Sequence, residues 1–161
     1  CLNYRPGFAG LVTVLASANF VVIASGNNGG GANAVFPGCL GGDRTDKILT
    51  VGAVTCPSCP CPNESYHGTC ADFSNLGTEV DWLAVGTRVL STWIQEPSSS
   101  TSPTVPPAPK ARYAKLSGTS SAAAVISGII HSSGQAPGYT GGVYRCGEGA
   151  ARREYQSGRR R

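Results

Sequence analysis

The sequence predicts an α/β layered domain with a mostly parallel central sheet, and two observations carry that expectation. Residues 20–24 and 48–54 are short apolar runs rich in β-branched side chains, the pattern of strands buried on both faces. Ala-rich stretches without Pro lie at 8–18 and from Ser120 onward, the pattern of helices that pack onto such a sheet.

Taken in order, residues 8–18 predict a buried helix, and Asn19, which tolerates the left-handed conformation, ends it. The run 20–24 predicts the first strand. It breaks into Ser25-Gly26-Asn27-Asn28-Gly29-Gly30-Gly31, a loop with little side-chain bulk. Residues 48–54 predict a second buried strand, and 80–84 and 88–93 two more, joined by a turn at Val85-Gly86. The stretch 96–111 is rich in Pro and Ser and is expected as an exposed loop. Order resumes at 113–117, and Gly118-Thr119-Ser120 predicts a tight turn into a helix that starts near Ser120. Beyond Gly134 periodicity stops and Gly, Arg and Tyr dominate. The expected organisation is therefore one domain over 1–133 and an Arg/Gly-rich tail without order over 134–161.

Composition narrows the function classes. The 161 residues suffice for one domain with a core. The net charge of +4 is localised: residues 1–133 balance seven basic against seven acidic side chains, and the six Arg beyond Gly134 meet only Glu148 and Glu154. A nucleic-acid binder spreads positive charge over a folded face, so no nucleic-acid partner is expected. No apolar run approaches the ~20 residues that span a bilayer, so no membrane partner is expected either. A basic start with a short apolar core, the mark of a signal peptide, is missing. A first residue of Cys1 and the lack of Met read as a fragment or processed product.

Seven Cys point to an oxidising compartment. Cys56, Cys59, Cys61 and Cys70 lie in a Pro-rich insertion at 56–70 with the glycosylation sequon Asn63-Glu64-Ser65. A secreted or extracytoplasmic location is the expectation. Disulfides within the insertion are one reading of the cluster; a tetrahedral zinc held with His67 is the other, although its spacing fits no common finger. The odd count leaves at least one thiol unpaired or paired with something outside the chain.

Two segments carry chemistry. Ser120, in a turn feeding a helix N-terminus, presents a hydroxyl beside backbone N–H groups that can bind an oxygen anion. Asn27 follows a buried strand, where open α/β sheets place their sites, and its amide can donate to the same anion. Each has an ordinary reading alone: Thr and Ser are common helix caps, and Asn is a common turn residue.

Six segments in order change the weighing: Val21-Val22-Ile23-Ala24-Ser25-Gly26-Asn27, Ile48-Leu49-Thr50-Val51-Gly52-Ala53, Phe73-Ser74-Asn75-Leu76-Gly77, Asp81-Trp82-Leu83-Ala84-Val85-Gly86, Leu90-Ser91-Thr92-Trp93-Ile94 and Ser117-Gly118-Thr119-Ser120-Ser121-Ala122. Together they resemble the C-terminal half of the subtilisin-like serine proteases over residues 8–130, and the Ser91–Ile94 stretch is most similar to the proteinase K branch. The resemblance implies a partial three-layer subtilisin-like fold, truncated on its N-terminal side. It implies Ser120 as nucleophile and Asn27 as oxyanion-hole donor, with substrate contacts from Ala24, Ser25, Gly26, Gly118 and Thr119. Phe36-Pro37 matches an aromatic-Pro pair that is cis in many members. The implied reaction is peptide hydrolysis through an acyl-enzyme, with a peptide or protein as substrate. No cofactor is implied; calcium is common in the family, but no ligand cluster assigns it here.

The pattern also departs from the family. The triad order is Asp, His, Ser, and the twenty residues before Val21 contain no Asp, Glu or His. The resemblance therefore implies a missing N-terminal half of the same domain as the source of both, and a chain inactive on its own. His67-Gly68-Thr69 copies a family motif but falls after Asn27, inside the Cys-rich insertion. His131 lies about three helical turns beyond Ser120 and reads as a last-turn residue interacting with the helix dipole. Asp81 reads as a structural carboxylate. Ala124, Val125, Ser121 and Val85 replace the usual Pro, His, Met and Pro without strain. The alternative to a protease is a non-catalytic subtilase descendant that binds peptides or serves a structural role.

Overall fold

A computed structural model describes residues 17–42, 47–55, 69–93 and 113–136, together with the backbone of Val143–Arg145 and Ala151–Glu154. All but the last two residues of the expected helix at 8–18, the loop at 96–111 and nearly all of the Cys-rich insertion lie outside the described residues. The strands are β1 (Val21–Ala24), β2 (Ile48–Val54), β3 (Trp82–Val85), β4 (Val89–Thr92), β5 (Tyr113–Leu116), β6 (Val143–Arg145) and β7 (Ala151–Glu154). One long helix, α1 (Thr119–Ser133), and two 3-10 turns, Ala32–Ala34 and Gly38–Leu40, complete the described elements.

β1, β2, β3 and β7 run parallel, and β6 closes the sheet antiparallel, in the order β1-β2-β3-β7-β6. This is the α/β class that the sequence predicts. The pleat sorts the side chains by period two. Leu49, Val51 and Ala53 of β2, with Trp82 and Ala84 of β3, pack against Ala122, Ala123, Ile126 and Ile130 of α1. Val54 and Leu83, on the opposite face, pack with Ala32 and Val80. Small residues at 122 and 123 let the first turns of α1 lie close on the sheet, and the larger Ile126 and Ile130 fill the space further along.

β2 is buried from Leu49 to Val54 because a strand flanks it on each side. β1 differs from the expectation of burial on both faces: only Ile23 is buried, and the rest are half-buried. Among the described residues β1 pairs with β2 alone, so its outer edge has no neighbour there. The expected strand at 80–84 begins two residues later, because Asp81 works as a staple. Its carboxylate accepts from the N–H of Thr50 at 2.8 Å and of Gly42 at 3.1 Å. β4 leaves the central sheet and pairs antiparallel with β5, Val89 opposite Leu116 and Thr92 opposite Tyr113. The peptide bond Phe36–Pro37 is cis.

α1 starts one residue before the expected Ser120 and stops at Gly134, whose left-handed backbone (φ 73°) returns its N–H to the Ile130 carbonyl at 2.8 Å. Two segments of the tail that the sequence reads as without order form strands. β7 extends the sheet along β3, Trp82 opposite Arg153 and Leu83 opposite Glu154. A ladder joins backbone groups of any sequence, so hydropathy does not announce it.

The helix supports a test of this packing. Gly128 is an exposed mid-helix position where an added Cβ meets open space. Gly128→Ala is expected to stabilise the fold by about 0.5–1 kcal/mol. Ile126, fully buried under the helix, is expected to cost about 2–5 kcal/mol as Ile126→Ala. Urea denaturation midpoints of the two variants should move in opposite directions.

Candidate active site

β1 and β3 are parallel and end on the same side of the sheet, and the segments leaving both ends meet the N-terminus of α1. Beyond β3, the Gly86 carbonyl accepts the Gly118 N–H at 2.8 Å. A side chain at Gly86 would strike Ala53 and the Gly118 carbonyl, so glycine there lets the turn before α1 sit directly on the strand end. Beyond β1, Gly26 adopts a positive φ of 109° and turns the chain so that Asn27 faces α1.

The first turn of a helix leaves backbone N–H groups without intrahelical partners. In α1 the Thr119 N–H donates to Asn27 Oδ1 at 2.8 Å, a cap supplied from 92 residues away. The Ser121 and Ala122 N–H groups turn back to the Gly118 carbonyl at 3.1 and 3.4 Å. Among the described residues the Ser120 N–H and the Ser120 hydroxyl have no partner, and the Ser120 side chain is exposed.

Thr119 fixes the Asn27 amide. Its hydroxyl donates to Asn27 Oδ1 at 2.8 Å and accepts the Gly26 N–H at 3.3 Å. With Oδ1 taking both Thr119 donors, the carboxamide has one orientation, and Nδ2 is left to donate elsewhere. That amide borders Gly118: a Cβ at Gly118 would lie 3.3 Å from Asn27 Nδ2. An exposed hydroxyl, a backbone N–H open among the described residues and the Asn27 amide beside Gly118 thus lie at a helix N-terminus, where the dipole favours negative charge. The grouping can stabilise an oxyanion formed beside the hydroxyl.

The structure therefore brings Gly26, Asn27, Gly118, Thr119 and Ser120 together. Ala24 and Ser25 lead into this cluster with their side chains turned inward: Ala24 packs on the core under α1, and the fully buried Ser25 donates to the Asn75 carbonyl at 2.9 Å. Thr119 is fully buried as well, and the N–H groups of both are engaged within the fold, Ser25 with the Val51 carbonyl at 3.0 Å and Thr119 with Asn27 Oδ1, so the substrate contacts expected of Ser25 and Thr119 are closed off in this structure. His131 is exposed in the last turn of α1, about 16 Å along the axis from Ser120. His67 lies outside the described residues. Among the described residues no group of three or more His, Cys, Asp or Glu side chains is placed to hold a metal ion. No helix among them is long and apolar enough to cross a membrane.

Sequence reasoning missed two side chains. Thr119 is expected from the resemblance as a substrate contact, whereas its side chain holds the Asn27 amide; a hydroxyl at the first helical position was the available signal. Asn75 accepts the N–H groups of Asn28 and Gly30, each at 3.1 Å, and so supports the loop that carries Asn27; its segment, Phe73–Gly77, was recognisable, but no side chain in it had an assigned role.

Comparison with known proteins identifies the family and the fold. The profile of the subtilase family matches residues 10–139. An intracellular serine protease of Paenibacillus polymyxa is 30% identical over 120 residues, covering 72% of this chain and 28% of that protein. A solved protease of Pseudoalteromonas arctica PAMC 21717 is similar with a TM-score of 0.50 at 26% identity, over 74% of this chain and 31% of that one. A cold-adapted subtilisin-like serine proteinase shares the fold, with a TM-score of 0.50 at 22% identity over 78% of this chain and 37% of its own. The chain thus spans well under half the length of each of these proteins. With a family profile matched along most of its residues and a site built at the carboxyl end of its parallel strands, the chain belongs to the subtilase family.

Proposed function

We propose that this chain carries the nucleophile and the oxyanion-binding elements of a subtilisin-like serine endopeptidase, corresponding to the C-terminal half of the catalytic domain. The supporting observation is the Asn27 carboxamide, whose Oδ1 is held by both Thr119 donors beside the exposed Ser120, leaving Nδ2 free of those bonds. In the proposed reaction Ser120 Oγ attacks the carbonyl carbon of a peptide. The new C–O bond pushes the carbonyl π electrons onto oxygen, and that oxyanion accepts from Asn27 Nδ2 and the Ser120 N–H. Collapse of the intermediate expels the amine, and water releases the acyl group from Ser120. Of the expected substrate contacts, the half-buried Ala24 and Gly26 are proposed to border the approach of the substrate, with the buried Ser25, Gly118 and Thr119 behind them.

The Ser120 proton needs a base, which in this family is a His oriented by an Asp. Both are proposed to come from outside the described residues, in the N-terminal half of the same domain. Fused behind the Asp- and His-bearing half of a related subtilase, the chain is expected to react with a fluorophosphonate at Ser120, and Ser120→Ala to abolish the label. Asn27→Ala is expected to lower kcat by about 10²–10³ with little change in KM, the cost of losing this donor in subtilisin, the reference case. A folded fusion protein that takes no label would overturn the protease reading in favour of a non-catalytic, peptide-binding descendant.

We also propose an extracytoplasmic setting. Cys39 and Cys70 held in disulfides, and the sequon at Asn63, support it, whereas the Paenibacillus polymyxa relative is described as intracellular. The same assignment takes Cys70 away from a zinc site. Alkylation in denaturant without reductant is expected to spare Cys39 and Cys70, and modification of both would refute the assignment.

A further inference from the structure

We infer that Asn75 is a positioning residue for Asn27, acting on the backbone of the oxyanion-binding loop as Thr119 acts on its side chain. The catalytic consequence rests on the protease reading above; the clamp itself rests on geometry alone.

The loop that carries Asn27 has little of its own to hold it. Gly26, Gly29, Gly30 and Gly31 surround two Asn residues, and 27–31 are exposed. Fixing glycines costs more backbone entropy than fixing any other residue, so a defined loop here needs contacts from elsewhere. Asn75, fully buried, supplies them from the turn before β3. Its N–H donates to the Gly26 carbonyl at 2.9 Å. Its Oδ1 accepts the Asn28 N–H and the Gly30 N–H, both at 3.1 Å. One residue thus grips the peptide groups on each side of Asn27, which fixes its Cα while leaving its amide to Thr119. The Asn75 carbonyl is in turn held by the Ser25 hydroxyl at 2.9 Å and the Ser74 hydroxyl at 3.2 Å.

The orientation has a cost that points the same way. With Oδ1 committed to two loop N–H groups, Asn75 Nδ2 is buried and has no partner among the described residues. It lies against Gly26, where an added Cβ would collide with it. An unpaired buried donor is unfavourable, and the flipped amide would instead set Nδ2 against both loop N–H donors. The structure accepts one orphan donor and keeps the two bonds that hold the loop.

The test combines two readouts on Asn75→Ala. In the full chain, hydrogen exchange at the Asn28 and Gly30 amides is expected to accelerate by about tenfold or more, with Val51 and Leu83 in the sheet unchanged. In the fused domain, kcat is expected to fall about 10–100-fold with KM within about threefold, because a misplaced donor costs turnover more than binding. In an Asn27→Ala background the same substitution should cost less than about threefold further, since a positioning residue has nothing left to position. Ser25→Ala, which loosens Asn75 without removing it, is the milder variant should Asn75→Ala not fold. It is expected to shift both readouts in the same direction by less. Unchanged exchange, or equal kcat losses in both backgrounds, overturns the inference. If loop protection is lost but Ser120 takes no label, the clamp stands and the protease reading falls.

Discussion

The site depends on the Thr119–Asn27 contact, two hydrogen bonds of 2.8 Å to one carbonyl oxygen across 92 residues of chain. Their net contribution to stability is modest, about 0.5–1.5 kcal/mol each. Their consequence for chemistry is larger, because an amide has two ends of opposite character. With Oδ1 engaged, the end that faces outward is the donor. If the amide were flipped, a lone pair would face any developing oxyanion and repel it. Orientation, more than affinity between the two segments, is what this contact provides.

For the contact to form, backbones must approach closely, and the sequence supplies small residues where they do. Gly86 lets the Gly118 turn rest on the end of β3, and Ala122 packs flat beside Ala53. Gly26 takes a positive φ that other residues rarely adopt. The same closeness sets the start of α1 over the ends of the parallel strands, so the positive end of its dipole coincides with the open N–H of Ser120. Packing and electrostatics at this site follow from one steric requirement.

Much of this was legible in the sequence, for reasons that differ by element. β2 announced itself because a strand buried on both faces carries a nearly unbroken apolar run, and α1 because Ala-rich, Pro-free sequence between Gly118 and Gly134 has clear boundaries. Asn27 and Ser120 stood out by their place after a strand and before a helix, but each reads as an ordinary turn or cap residue alone, and only the six segments in order give them expected roles. β1 misled because an apolar run reads alike whether its outer edge is covered or open. β6 and β7 were invisible because their pairing is backbone to backbone. Asn75 left no signal either: a buried Asn between Ser74 and Leu76 looks like any turn residue until the loop it grips, some fifty positions away, is in view.

The choice of glycine at position 118 closes the argument. A helix of this length would ordinarily gain from Ser, Thr, Asp or Asn at its cap, whose side chain accepts the N–H two or three residues on. Here the residue two positions on is Ser120, and such a cap would compete for the N–H that an oxyanion needs. Gly118 makes no side-chain cap bond, and a cap glycine costs only a few tenths of a kcal/mol against the best alternatives. Capping is supplied instead by Asn27, which takes the Thr119 N–H, one residue short of the one that must stay open. In the proposed reaction the residue that caps the helix also supplies the second donor, so local stability and the proposed chemistry use a single side chain without conflict.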